Sequence, residues 1–348
     1  MSHQPKPFGH VTMKDVANKA GVSPMTVSNV VSGTVNVRPE TRKKVEDAII
    51  ATGYKVNAAA RHLRQGRSGL LGLAVPGLDQ PYFGHVATEI SKIASDYGYE
   101  VAVERTGNNL DFEIQALRQQ WVRAYDGVII SAVALSNAYT TPLIGNEPIV
   151  LLGQRDFHTA VDHVSIANEK GGRLATQHLI DRGCRRIVTI GGRISDDDFI
   201  DGSSRRTEGY RQALADAGIG FDPNLVTECP LTPDGGYEAI RRLLVDRRDF
   251  DGVFATSDLV AMGALRALAD NGYDVPGRVK VIGFDNLPTT PYLNPTLSSV
   301  APDYEMMARE TIDLLVGRIK GQRQARTHEH VVIPCHVEAR VSTSTAFC

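Results

Sequence analysis

Residues 11–31, VTMKDVANKAGVSPMTVSNVV, leave this chain few choices of local structure. Thr12 has a hydroxyl placed to cap a helix in which Val16, Ala17 and Ala20 recur on one apolar face. Gly21 ends that helix and Val22 fills the corner. Ser23 then caps a second helix with Pro24 at its first position, where a missing amide costs nothing. The pattern predicts a helix, a tight turn and a second helix. In the second, Val27, Val30 and Val31 face inward, while Pro24, Met25, Thr26, Ser28 and Asn29 present small or hydrogen-bonding groups outward with no carboxylate among them. Such a face fits a DNA major groove. A two-helix corner of an ordinary globular core has the same spacing, so the rest of the chain has to decide.

A third helix is expected over 41–53, with Val45, Ala48, Ile49 and Ile50 inward, then an Ala-rich segment and a buried strand. The runs TMKDVANKAGVSPMTVSNVVSG, RPETRKKVEDAIIATGY and NAAARHLRQGRS resemble the LacI/GalR family of bacterial transcriptional regulators, and the likeness extends through most of the 348 residues. The resemblance implies that Thr12, Ser23, Thr26, Ser28 and Asn36 lie near the DNA backbone, where they fix register, with Met13 on the same side. Base reading falls to Pro24, Met25 and Asn29. Many relatives carry a basic or aromatic side chain at Asn29; asparagine pairs instead with adenine N6 and N7. The same family pairs two hinge helices in the minor groove, which gives Asn57, Ala60 and Leu63 DNA contacts and makes Leu63 the wedge between bases. Residues 57–64 are too few to hold a helix alone in water, so this segment is expected to fold on binding. Val56 stands where relatives often carry proline.

Charge separates the two ends of the chain. Residues 1–67 hold 11 Lys and Arg against 4 Asp and Glu, and the remainder holds 27 against 36. The head is the part that attracts polyanions, and neutralising phosphates supplies affinity without sequence information. At 42% hydrophobic and 22% charged residues, the composition is that of a soluble globular protein. No apolar run reaches membrane-spanning length and MSHQPKPFGH lacks a signal-peptide core, so a cytoplasmic location is expected. Cys184, Cys229, Cys335 and Cys348 are scattered without a CxxC pair, which points to reduced thiols and to no metal site or cofactor.

From Leu70 onward, aliphatic strands alternate with amphipathic helices. Strands are expected at 70–76, 100–104, 127–131, 149–152, 186–190, 252–256 and 279–284, with helices near 83–97, 112–123, 169–182, 206–217, 235–246 and 259–271. The fold class is therefore α/β: an all-α helix-turn-helix head and a two-lobed body of parallel sheets like a periplasmic binding protein. Expected boundaries are a head at 1–56, a hinge at 57–68, a body at 69–342 and a frayed tail at 343–348. Family topology assigns lobe 1 to about 69–166 and 300–325, and lobe 2 to about 168–288 and 330–342.

Such a body binds ligand outside the carboxyl ends of its strands. Asp79, Tyr82 and Phe83, then Ser131, Gln154, Ser257, Asp258 and Asp285, all follow strands, and Arg206 matches the arginine that relatives use to hold effector. Aromatic rings against a sugar face, with Arg and Asp on its hydroxyls, make a carbohydrate-like set. Tyr82 and Phe83 also suit helix-start packing, Asp79 and Asp258 suit helix caps, and Arg206 with Asp285 suits a salt bridge. No nucleophile or acid/base constellation stands out, so the expectation is not an enzyme. It is a homodimeric repressor of pseudo-palindromic operator DNA, controlled by a small, sugar-like effector. The alternatives are a purine-responsive or phosphoprotein-assisted regulator, and more remotely a solute-binding protein or a sugar-processing enzyme.

Overall fold

A computed structural model describes residues 11–31, 37–54, 67–118, 124–135, 147–153, 161–194, 201–246, 248–322 and 328–345. The chain divides into two compact units, Met1–Ser68 and Gly69–Cys348.

The first unit contains α1 (Met13–Ala20), α2 (Pro24–Val31) and α3 (Pro39–Thr52). Thr12 closes a reciprocal cap on α1: the Thr12 amide donates to Asp15 Oδ2 at 2.8 Å, and the Asp15 amide donates back to the hydroxyl at 3.4 Å. The Thr12 hydroxyl donates to Asp15 Oδ2 at 2.7 Å as well, and this bond, with that from the Thr12 amide, holds the Asp15 carboxyl below its ordinary range. Gly21 adopts φ 66°, the left-handed conformation that lets the chain turn, and the Val22 amide bonds Ala17 O at 3.0 Å. Ser23 Oγ then accepts from the Thr26 amide at 3.1 Å, as the sequence predicts for the second cap. Val16, Ala17, Val27, Val30, Val45 and Ala48 form the core. Ile50, expected inside, is 80% exposed, because α3 starts at Pro39 and its inward stripe runs through Val45, Ala48 and Ile49.

In the second unit, β1 (Leu70–Val75), β2 (Glu100–Arg105), β3 (Gly127–Ser131), β4 (Ile149–Leu152), β5 (Asp162–Ile166) and β11 (His330–Ile333) form one parallel sheet in the order β11-β5-β4-β3-β1-β2. Its central strands are buried along their whole length, so apolar runs rather than alternation encode them. The covering helices are α4 (Pro81–Asp96), α5 (Leu110–Leu117) and, returning late in the chain, α10 (Tyr304–Ile319). A second sheet has the order β12-β10-β9-β8-β6-β7, from β6 (Ile187–Ile190), β7 (Val226–Thr227), β8 (Gly252–Ala255), β9 (Lys280–Phe284), β10 (Ser298–Pro302) and β12 (Cys335–Glu338); only the β10–β12 pair is antiparallel. It carries α6 (Asn168–Asp181), α7 (Gly202–Asp216), α8 (Pro233–Val245) and α9 (Asp258–Asp270). No described helix is long and apolar enough to cross a membrane.

Three details differ from the expected lobe boundaries. β10 belongs to the second sheet, so the chain returns to the first lobe at Asp303; β11 pairs with β5, so the final crossing falls at Pro334. The segment 343–345 is no frayed tail where it begins. Thr343 is fully buried, its hydroxyl bonded to Ser298 Oγ at 2.7 Å and His178 Nε2 at 2.8 Å. Strands β5 and β10 escaped hydropathy because polar residues occupy several of their buried positions. Asp162 takes a bidentate Arg318 at 2.7 and 2.9 Å, and Ser299 donates to Asp258 Oδ1 at 2.6 Å.

The α6–α7 pair approaches backbone to backbone. A Cβ on Gly172 would stand 2.8 Å from both Cα and carbonyl C of Arg206, and one on Gly209 would stand 2.6 Å from Arg173 N. Glycine at these two points lets α7 lie close enough to set Arg206 against the second sheet.

Candidate functional site

On the head, α2 presents Ser23, Pro24 and Met25 to solvent, Met25 at 70% exposure, with Thr26, Ser28 and Asn29 half-buried beside them. There is no acidic residue in its first turn, and Thr12 at the start of α1 is exposed. Both helix N-termini and a carboxylate-free face suit phosphate and base-edge contacts. Met13 is half-buried and packs against the head core. Asn36, Asn57, Ala60 and Leu63, with most of the expected hinge, lie outside the described residues.

In the body, a cavity of about 500 Å³ opens between the two sheets, within the range of small-molecule sites. From the first lobe it is lined by Gln80, Tyr82, Phe83, Asn108, Ala132 and Val133; from the second by Asp201, Gly202, Ser203, Arg206, Pro230, Leu231, Thr232, Ser257, Leu259, Asp285 and Leu287. Tyr82 and Phe83 begin α4 and meet edge to face with ring centroids 5.0 Å apart. Opposite them, Arg206 is 5% exposed and held on every side. Its Nε donates to Asn168 Oδ1 at 2.8 Å, Nη1 donates to Thr256 O, and the guanidinium lies 3.6 Å over the Phe284 ring. Its Nη2 stands 3.7 Å from Asp285 Oδ1, an ion pair too long for a hydrogen bond. A ligand hydroxyl pair can therefore engage both groups. Burial pushes the Asp285 carboxyl up to about 7, with Arg206 pulling the other way. Near neutrality that carboxyl both donates and accepts.

The turn carrying Asp285 is strained and over-determined. Asp285 and Asn286 have φ of 103° and 50°, conformations that Asp and Asn tolerate better than most residues. The Asn286 amide bonds Ser299 Oγ at 2.9 Å, the Leu287 amide bonds Asp258 Oδ2 at 2.7 Å, and Arg340 Nη2 bonds Asn286 Oδ1 at 2.8 Å. Asp258 thus serves the turn from beneath and does not line the cavity. Burial, then repulsion from Asp285, raises its carboxyl well above the ordinary value.

The expected set is brought together in part. Tyr82, Phe83, Arg206, Ser257 and Asp285 share the cavity wall. Ser257 also caps α9, accepting from the Val260 amide at 3.3 Å. Asp79 is exposed outside the wall, because α4 takes its start from Gln80 and Pro81; Ser131 is buried behind Ala132 within β3. Gln154 lies outside the described residues. Reading just past the strand ends could have found Asn108, Ala132 and Val133. Leu231 and Thr232 were hidden because β7 is two residues long, and Asp201 because it caps α7, paired with Ser204.

Glu113, on α5, organises part of that wall. It is fully buried, and its two oxygens accept from the amides of Val133, Ala134 and Leu135 at 2.8–3.0 Å, fixing the loop that follows β3.

Comparisons with known proteins match both units. Residues 12–57 match the family described as "Bacterial regulatory proteins, lacI family", and residues 176–343 match a periplasmic binding protein-like domain. The chain is 34% identical over 346 residues to the HTH-type transcriptional regulator CelR of Thermobifida fusca, covering 95% of this chain and 98% of that protein. Among solved structures, a transcriptional regulator CelR–cellobiose complex aligns with TM-score 0.69 at 32% identity, covering 95% of this chain and 99% of that one. The lac repressor dimer bound to operator and the anti-inducer ONPF aligns with TM-score 0.80 at 25% identity, covering 96% and 99%.

Proposed function

This chain belongs to the lacI family of bacterial regulatory proteins, and on that premise we propose that it is a homodimeric repressor whose operator affinity is set by a small, sugar-like effector in the body cavity. The observation that carries the reading is one chain joining a basic helix-turn-helix, exposed along α2, to a cavity where an aromatic pair faces a buried Arg206–Asp285 pair. Two copies related by a two-fold axis read a pseudo-palindromic operator, with Pro24, Met25 and Asn29 at base edges and hydroxyls of Thr12, Ser23, Thr26 and Ser28 on phosphates. Asn36, Asn57, Ala60 and Leu63 extend that interface, Leu63 as the minor-groove wedge.

In the cavity, Tyr82 and Phe83 cover the apolar face of a pyranose while Arg206, Asp285 and Ser257 take its hydroxyls. The cellobiose complex of the CelR relative makes glucose disaccharides the first candidates. Effector control needs only a difference in affinity for two arrangements of the lobes, about 1–3 kcal/mol of coupling. The test is a binding-site selection on the purified full-length protein, followed by thermal-shift titration of cellobiose, other sugars and nucleobases, with operator binding repeated for each hit. The expected result is one enriched inverted repeat whose affinity changes with a saccharide. No duplex preferred over random competitor, with or without ligand, would refute the reading, and a nucleobase as the sole hit would refute the sugar assignment.

A further inference from the structure

The chain passes between the lobes three times, at Ala167, Asp303 and Pro334, and these crossings are tied to one another. The Ala167 amide bonds Ile333 O at 2.9 Å and the Asp303 amide bonds Pro334 O at 3.2 Å. The residue immediately after each of the first two crossings also bonds a residue of the cavity wall. Asn168 is buried, and its amide group spans the lobes: Nδ2 donates to Ile166 O, the last residue of β5, at 3.1 Å, while Oδ1 accepts from Arg206 Nε at 2.8 Å. Tyr304 does the same from the other side. Its hydroxyl donates to the main-chain oxygen of Asp285 at 2.8 Å, while its ring lies against His85, at 4.5 Å between centroids, and Tyr82, at 6.1 Å. The two members of the Arg206–Asp285 pair are thus each gripped by a different crossing.

We propose that Asn168 and Tyr304 are positioning residues that transmit the state of the Arg206–Asp285 pair to the interlobe crossings, so that occupancy of the cavity changes how freely the lobes rotate. A ligand inserted between Arg206 and Asp285 moves groups whose other attachments are the crossings themselves, and no longer path through the lobe cores is required. Loss of either clasp frees one crossing. The inference rests on the proposed function for its regulatory meaning, but the mechanical part stands without any ligand.

The test uses the full chain and the variants Asn168→Ala, Tyr304→Phe and the double variant. Native-state hydrogen exchange reads the Ala167 and Asp303 amides, with Val188 and Val253 in the second sheet as references. The expected result is at least about tenfold faster exchange at Ala167 in Asn168→Ala and at Asp303 in Tyr304→Phe, with the reference amides unchanged. With cellobiose as probe, the ratio of operator affinities with and without sugar should fall to within about twofold of one in the double variant. Wild-type protection at both crossings in all variants, or a rise shared equally by the reference amides, would overturn the proposal. A wild-type protein that ignores both cellobiose and DNA would instead overturn the functional reading and leave the exchange result to stand.

Discussion

Gly172 and Gly84 both lie inside helices, and the structure predicts opposite signs for the same substitution. In an exposed helix interior, Gly→Ala stabilises by roughly 0.5–1 kcal/mol, because alanine has less backbone freedom to lose. Gly84, in the first turns of α4, is exposed and an added Cβ meets nothing within 4 Å, so Gly84→Ala should gain about that much. At Gly172 the Cβ would come within 2.8 Å of the Arg206 Cα and carbonyl carbon, and closer still to its oxygen. Ordinary carbon–carbon contact lies near 3.4–4 Å, so α7 would have to retreat by at least half an ångström. Overpacking of this kind costs about 1–3 kcal/mol, and here it strikes backbone, which cannot swing aside like a side chain. After the propensity gain, Gly172→Ala should be destabilised by about 1–2 kcal/mol, and the two variants should differ by about 1.5–3 kcal/mol. The retreat also stretches the 2.8 Å bond from Arg206 to Asn168, so ligand affinity should fall with stability. Urea unfolding followed by far-ultraviolet circular dichroism, with parent and both variants in parallel, measures the difference. A Gly172→Ala protein as stable as the parent would refute the backbone contact and the reason given for the position of Arg206.

Other consequences are open to measurement. Burial raises Asp285 to about 7, so the folded state favours its protonated form; its contribution to stability is lost as pH climbs from the ordinary carboxylate range through 7, and stays flat above. Asp285→Asn, which tolerates the same positive φ, should gain on the parent by on the order of 2 kcal/mol between pH 5 and 7 in denaturant titrations, and parallel pH profiles would contradict this. Glu113→Gln replaces Oε2 with a donor facing the amides of Ala134 and Leu135; leaving the buried Leu135 amide unpaired should cost about 1–3 kcal/mol and weaken ligand binding, and a loss below half a kilocalorie would refute the loop-fixing role. Asn29→Ala should alter the selected operator sequence more than the salt dependence of binding; recovery of the parental motif from a selection would remove Asn29 from base reading.

Periodicity and turn chemistry carried much of this protein. The caps at Thr12 and Ser23, the left-handed Gly21 and the head core of Val16, Val27 and Val45 were legible because helix starts, stops and stripes are local. The fully apolar strands β3 and β4 were legible because parallel strands covered on both faces need no polar residue. Of the residues singled out past strand ends, Tyr82, Phe83, Ser257 and Asp285 line the cavity, as does Arg206, singled out by the resemblance. Tertiary structure decided everything that depends on a distant partner. Asp162, Ser298 and Ser299 carry no hydropathy signal for a strand and are strand in the fold, because Arg318, Thr343 and Asp258 arrive from far along the chain to satisfy them. It likewise moved Ile50 outward, turned Asp258 from a ligand candidate into a support for the Asp285 turn, and set the crossings at Asp303 and Pro334. A buried polar group is stable only where its hydrogen-bond partner lies, and that position is a property of the folded chain, not of neighbouring residues.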